Sequence, residues 1–170
     1  MNERDAPSGR IDAAGATSMK QLSGSDVELL KQLLKVFGEA FADSATYQDA
    51  IPGDDYLRSL LHKPNFIVLV ALQGNDVIGG LAAYELDKFE QDRREIYIYD
   101  LAVSEPFRRR RVATSLITEL KSVARDRHAY VIYVQADKGD EPAIRLYESV
   151  GTREDVFHFD IAVDADRSSS

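Results

Sequence analysis

Apolar positions along the chain follow two rhythms, and the rhythms divide it into helices and strands. Val27, Leu30, Leu33, Leu34, Phe37 and Phe41 recur at helical spacing. Ser25 and Glu28, spaced as a capping box, place the start of that helix, which runs to about Ala42. The stretch from Asp43 to Gly53 reads as a loop closed by an Ile51-Pro52-Gly53 turn. Asp54 then caps a second short helix carrying Tyr56, Leu57, Leu60 and Leu61. Phe66 to Leu72 and Val77 to Leu86 are apolar and rich in β-branched residues, and the turn signal Gly74-Asn75-Asp76 between them predicts a hairpin.

The period of two is clearest from Glu95 onward. Glu95, Tyr97, Tyr99 and Leu101 alternate with Ile96, Ile98, Asp100 and Ala102, which puts Asp100 on the isoleucine face of a strand. Ser104, Glu105 and Pro106 turn the chain. Val112, Leu116, Leu120 and Val123 then mark a helix ending near Arg127. Tyr130 to Ala136 reads as a buried strand, and Asp137 to Asp140 as a polar loop. A further helix, capped by Asp140 and stopped by Gly151, carries Ala143, Ile144, Leu146, Tyr147 and Val150. A short strand at Thr17 to Leu22 and a last one over Arg153 to Val163 complete the order. It predicts an α/β (α+β) architecture, a central mixed sheet with helices on both faces. Residues 1–16 are expected to form a disordered tail, 17–165 a single domain and 166–170 a frayed end.

Composition narrows the chemistry. The chain has no cysteine, which excludes a thiolate nucleophile, a disulfide framework and a zinc site of cysteine type. His62, His128 and His158 lack metal-ligand spacing, so no metal is expected. No apolar run approaches a membrane span, and a cytoplasmic setting is the default. A net charge of -8, from 29 acidic and 21 basic residues, argues against a general nucleic-acid binder and suits a cationic ligand. Against that acidic background stands the run Arg108, Arg109, Arg110 and Arg111 at a helix start. Arginines oppose the helix dipole there, and unpaired backbone N–H groups at such an end favour an anion. Asp100, a poor strand former and costly to bury alone, is the second anomaly.

The two anomalies fall in recognisable motifs. Leu101-Ala102-Val103 followed by Arg108, Arg111 and Ala113 resembles the pyrophosphate-binding motif of the GNAT superfamily of acetyl-CoA-dependent N-acetyltransferases. Asp140, Ala143, Leu146, Tyr147 and Gly151 resemble its second motif. The longer runs FGEAFADSATY, GLAAYELDKFEQ, EIYIYDLAVS and AYVIYVQADKGDEPA look like the aminoglycoside 3-N-acetyltransferases of GNAT type.

The resemblance implies a GNAT fold, a mostly antiparallel sheet of about six to seven strands with about four helices. It implies acetyl-CoA bound by Leu101, Ala102, Val103, Arg108, Arg109, Arg110, Arg111, Val112, Ala113, Thr114, Asp140, Ala143 and Tyr147. It also implies a homodimer and an aminoglycoside acceptor. Asp100 is the candidate for holding the acceptor ammonium and taking its proton, the alternative being a turn or capping aspartate. By resemblance Tyr147 protonates the coenzyme thiolate; the alternative is a core aromatic. By the same resemblance, backbone N–H groups of Leu101 to Val103 would polarise the thioester carbonyl. Asp137, Asp54, Asp55 and Glu90 are the leading further carboxylates for the amino sugar, with Asp140, Glu154 and Asp155 also available. Arg111 stands where the motif has glycine, and a helical conformation is expected to accommodate it. A polyamine, another small amine or a protein amino group is the alternative acceptor. A nucleic-acid module using Arg108 to Arg111 and a non-catalytic acetyl-CoA sensor are the readings of other classes.

Overall fold

The computed structural model describes residues 16–163, so the expected tail, apart from Ala16, and the frayed end lie outside the described residues. The described chain divides into two compact units, the first ending at Gln135 and the second starting at Ala136.

The first unit is built on one sheet. Strands β1 (Thr17–Gln21), β2 (Phe66–Gln73), β3 (Asp76–Asp87), β4 (Arg94–Val103) and β5 (Ala129–Val134) lie side by side in chain order. All neighbours are antiparallel except β4 and β5, which run parallel. The parallel pair requires a crossover, supplied by α4 (Val112–Asp126) after a short 3₁₀ turn over Glu105–Phe107. Helices α1 (Val27–Ala40), α2 (Ser44–Tyr47) and α3 (Asp54–Leu61) occupy the connection between β1 and β2.

The β2 run FIVLVALQ buries both sets of its alternating side chains, because helices cover both faces of the sheet. Val68 and Val70 join Leu30, Leu33, Phe37, Leu57, Leu61, Val77 and Ala102 in the core beneath α1 and α3. The intervening Ile67 and Leu69, with Leu81, Ala83, Ile96 and Ile98, point to the opposite face, the side of the buried Leu116 and Leu120 of α4.

The sheet departs from regular alternation at β4. Ala83 pairs with Ile98 but Ala82 pairs with Asp100, so Tyr99 is an extra residue on its strand, a β-bulge. That one residue moves Asp100 off the isoleucine face expected from simple alternation. It lies instead on the face of Ala82, Ala102 and the Tyr84–Tyr97 pair, towards α1 and α2.

Three local features also differ from expectation. Ser25 and Glu28 do not form a capping box: α1 begins at Val27 with Asp26 as N-cap, and Asp26 Oδ2 instead accepts from Ser23 N at 2.8 Å and Ser23 Oγ at 2.8 Å. Gly53, not Asp54, occupies the N-cap of α3; Asp54 is its first residue and pairs with Lys31 of α1 at 2.7 Å. The polar stretch read as a loop contains α2, capped by Asp43, whose Oδ1 accepts from Thr46 N at 3.1 Å.

In the second unit α5 (Glu141–Glu148) forms where its motif predicts. The Asp140 carboxylate accepts from Ala143 N at 3.1 Å and Pro142 sits in the first turn. The strand expected over Arg153 to Val163 is not formed; these residues carry no regular structure. Alternation alone does not make a strand, since ladder hydrogen bonds must come from a neighbour. The described sheet therefore has five strands, fewer than the six to seven expected.

Candidate active site

Asp100 is half-buried near the middle of the sheet face that the bulge selects. Tyr47, the last residue of α2, donates its hydroxyl hydrogen to the carboxylate, at 3.1 Å from each oxygen. Burial pushes the Asp100 carboxyl above its ordinary range, and the hydrogen bond from Tyr47 offsets part of that rise. Burial, then the Asp100 charge and the hydrogen bond to it, push the Tyr47 phenol far up, so it remains a donor. A cluster of tyrosine rings lies on the same part of the sheet: Tyr84 and Tyr97, which feel the Asp100 charge, lie edge-on to Tyr99 at 6.0 Å and 5.9 Å, and Tyr97 stacks on Tyr133 at 4.9 Å. Tyr99, on the bulge, is 62% exposed, so this face is open to a solute. A turn or capping role for Asp100 does not describe this setting. A carboxylate among aromatic faces suits an ammonium.

At the end of β4 the chain enters the arginine run. Val103 and Ala102 are buried opposite Gly79 and Gly80 of β3. Arg108 donates from Nε to Val103 O at 3.0 Å, tying the loop to the strand, and the Arg110 guanidinium lies 5.5 Å from the Phe107 ring centroid. Arg109 and Arg111 both have left-handed backbones, with φ of 62° and 64°. Arg111 is the N-cap of α4, not a helical residue, which corrects the expectation of a helical conformation there. This is the conformation glycine adopts without cost, which explains the glycine of the motif. Left-handed residues at the mouth of a helix, whose first N–H groups lack intrahelical acceptors, make a setting that fits a pyrophosphate.

Arg111→Gly is accordingly expected to raise stability by about 1 kcal/mol, read as a higher Tm, because the side-chain strain disappears. An unchanged or lower Tm would contradict the assignment of strain.

The other carboxylates singled out from sequence are placed differently. Asp54 is held by Lys31, Asp55 pairs with Arg58 at 2.8 Å, and Glu90 sits beside Lys88 at 3.3 Å and Arg93 at 3.7 Å. None is brought to Asp100 by a hydrogen bond. Asp137 is exposed in the loop before α5, where its carbonyl accepts from Asp140 N at 2.9 Å. Tyr147, on the last turn of α5, is partly buried, and its carbonyl accepts from Gly151 N at 2.9 Å. Sequence reasoning missed Tyr47. Its signals were a lone aromatic in a polar segment, Asp43 to Gln48, and its place at the end of the family-like run FGEAFADSATY. Among the described residues no group of three or more His, Asp or Glu is placed to hold a metal ion, and no helix is long and apolar enough to cross a membrane.

The GNAT acetyltransferase family model matches residues 30–152, and the chain belongs to that family. Acetyltransferases of this family use acetyl-CoA in general. The structure is similar to aminoglycoside acetyltransferase HMB0005 from an uncultured soil metagenomic sample. The TM-score is 0.86 and the identity 53%, over 88% of this chain and 99% of that one. It is also similar to aminoglycoside acetyltransferase meta-AAC0020 from an uncultured soil metagenomic sample, solved in complex with sisomicin. Here the TM-score is 0.80 and the identity 30%, over 91% of this chain and 100% of that one. A ribosomal-protein-alanine N-acetyltransferase from Brucella melitensis biovar Abortus 2308 shares the fold, with TM-score 0.69 and 21% identity over 88% of this chain and 100% of that one. Among curated protein sequences none matches the chain.

Proposed function

We propose that this acetyltransferase modifies the 3-amino group of aminoglycosides of the gentamicin class, by direct transfer in a ternary complex, and so confers antibiotic resistance. The observation that carries the reading is the half-buried Asp100 carboxylate, held by Tyr47 on an open face of tyrosine rings. An aminoglycoside presents several ammonium groups on a polar ring scaffold, and one carboxylate among aromatic faces is complementary to such a group. The likeness to two aminoglycoside acetyltransferases, one bound to sisomicin, supports the same class of acceptor.

Asp100 holds the acceptor ammonium and takes its proton, directly or through water, which frees the amine to attack. Acetyl-CoA, when bound, supplies the acyl group as a thioester. Arg108 to Arg111, with the first-turn N–H groups of Val112, Ala113 and Thr114, would hold its pyrophosphate. Backbone N–H groups of Leu101 to Val103 would polarise the carbonyl, a contribution that is often the largest in acyl transfer. Asp140 and Ala143 would line the coenzyme and Tyr147 would return a proton to the departing sulfur. Asp137 is the first choice for a second ammonium, followed by Asp54, Asp55 and Glu90 once their ion pairs open. The resemblance supports a homodimer, which light scattering would test.

The test is acetyl-CoA turnover across a panel of aminoglycosides and polyamines. Mass spectrometry of the gentamicin product should show one added acetyl group, and NMR should locate the amide at the 3-position. Turnover restricted to polyamines would replace the acceptor, and acetylation at another amine would replace the position.

A further inference from the structure

We infer that Tyr47 is a positioning residue for Asp100: its hydroxyl fixes the plane of the carboxylate and keeps the carboxylate ionised. This deepens the reading of Asp100 as the proton acceptor and rests on it.

The geometry is that of a built contact between residues 53 apart in sequence. An O–H equidistant from both carboxylate oxygens favours one rotation of the group. The segment that delivers Tyr47 is itself held at several points. Ala42 reverses the chain after α1 with a left-handed backbone, φ 53°. Asp43 N donates to Gly38 O at 3.0 Å, and Asp43 caps α2. Gln48 packs over Gly38, so closely that a Cβ there would stand 2.4 Å from its Nε2, and that Nε2 donates to Lys35 O at 3.3 Å. The Tyr47 ring meets Phe37 at 5.8 Å and Phe41 at 5.6 Å, and those two rings stack at 5.6 Å. Rings from α1 and its C-cap thus aim a hydroxyl from α2 at a carboxylate that a bulge has turned towards it.

The electrostatic consequence follows from the neighbours. The titratable groups near the pair are Tyr99 on β4 and Asp43 before α2, which act on Tyr47, with Tyr84 on β3 and Tyr97 on β4, which respond to the Asp100 charge. All are neutral or acidic, so the Tyr47 hydrogen bond is the influence that favours the carboxylate against its burial. Removing the hydroxyl leaves a half-buried charge with one fewer donor, and the carboxyl then protonates at higher pH.

The experiment uses the full chain carrying Tyr47→Phe, which keeps the ring in its aromatic cluster and removes only the hydroxyl. The Asp100 carboxyl carbon is titrated by ¹³C NMR without substrate, and kcat/KM for gentamicin is measured against pH. The expected result is an Asp100 titration displaced to higher pH, an acid limb displaced with it, and kcat/KM near neutrality about tenfold lower. An Asp100 titration at the wild-type pH would overturn the inference, whatever the loss of activity, because a purely structural role lowers amplitude without moving a titration. A displaced titration with an unmoved acid limb would instead sustain the coupling and remove Asp100 from the proton transfer.

Discussion

Asp100→Ala is expected to lower kcat/KM for gentamicin by about 10²–10⁴-fold while leaving acetyl-CoA affinity close to wild type. The loss combines the missing proton acceptor with the missing counter-charge for the ammonium, and both act on the acceptor amine. The coenzyme contacts proposed for Arg108 to Thr114 lie beyond the end of β4, so calorimetry of acetyl-CoA binding separates the two sites. Asp100→Asn is the necessary companion. It keeps the size and a hydrogen-bond acceptor for Tyr47, so a similar loss assigns the effect to charge and basicity, not to packing. Wild-type turnover in either folded variant would remove Asp100 from the mechanism.

The second large effect is on stability. A Cβ at Gly80 would stand 2.6 Å from Leu69 O on β2 and 2.6 Å from Leu33 Cδ1 on α1. The side chain of Leu33 can rotate, but the β2 backbone is paired on both sides and cannot retreat. Gly80→Ala should therefore destabilise the protein by about 1–3 kcal/mol. Its Tm should fall by roughly 2–4 °C for each kcal/mol in a chain of this size, as thermal unfolding would show. Adding Leu33→Ala should not restore stability, since it opens a cavity in the core and leaves the backbone clash. Full recovery in the double variant would show that the Leu33 contact alone was limiting.

These effects come from features that sequence reading reached unevenly. The apolar rhythm of Val27 to Phe41 and the β-branched runs of β2 and β3 were legible because each pattern matches the burial that its element provides. Asp140 was legible as a cap because Pro142 fixes the first turn behind it, whereas the caps read at Ser25 and Asp54 each fell one residue away from the true N-caps Asp26 and Gly53. Asp100 stood out because a carboxylate in an apolar strand calls for a partner. Its face was misassigned because a bulge is set by the pairing of β4 with β3 and leaves no mark on β4 alone. Tyr47 closes a run that resembles the family, but its role was not legible for a related reason: its partner lies far along the chain, and only the packing of α1 and α2 onto the sheet brings the two together. The left-handed backbone of Arg111 was suggested by the motif glycine, yet the helical pattern that starts at Val112 made a helical conformation the expectation, and a one-residue difference in where the helix begins decides between the two. The unformed strand after Gly151 had the right alternation and no neighbour to complete it.

The bulge at Tyr99 also makes Asp100 a register pin. If β4 paired with β3 without the extra residue, Asp100 would oppose Leu81 and turn into the layer of Ile98 and Leu116, where an unpaired carboxylate is costly. The charge thus penalises the slipped sheet and rewards the bulged one, so the group proposed to take the proton also proofreads the assembly of the strand that carries it.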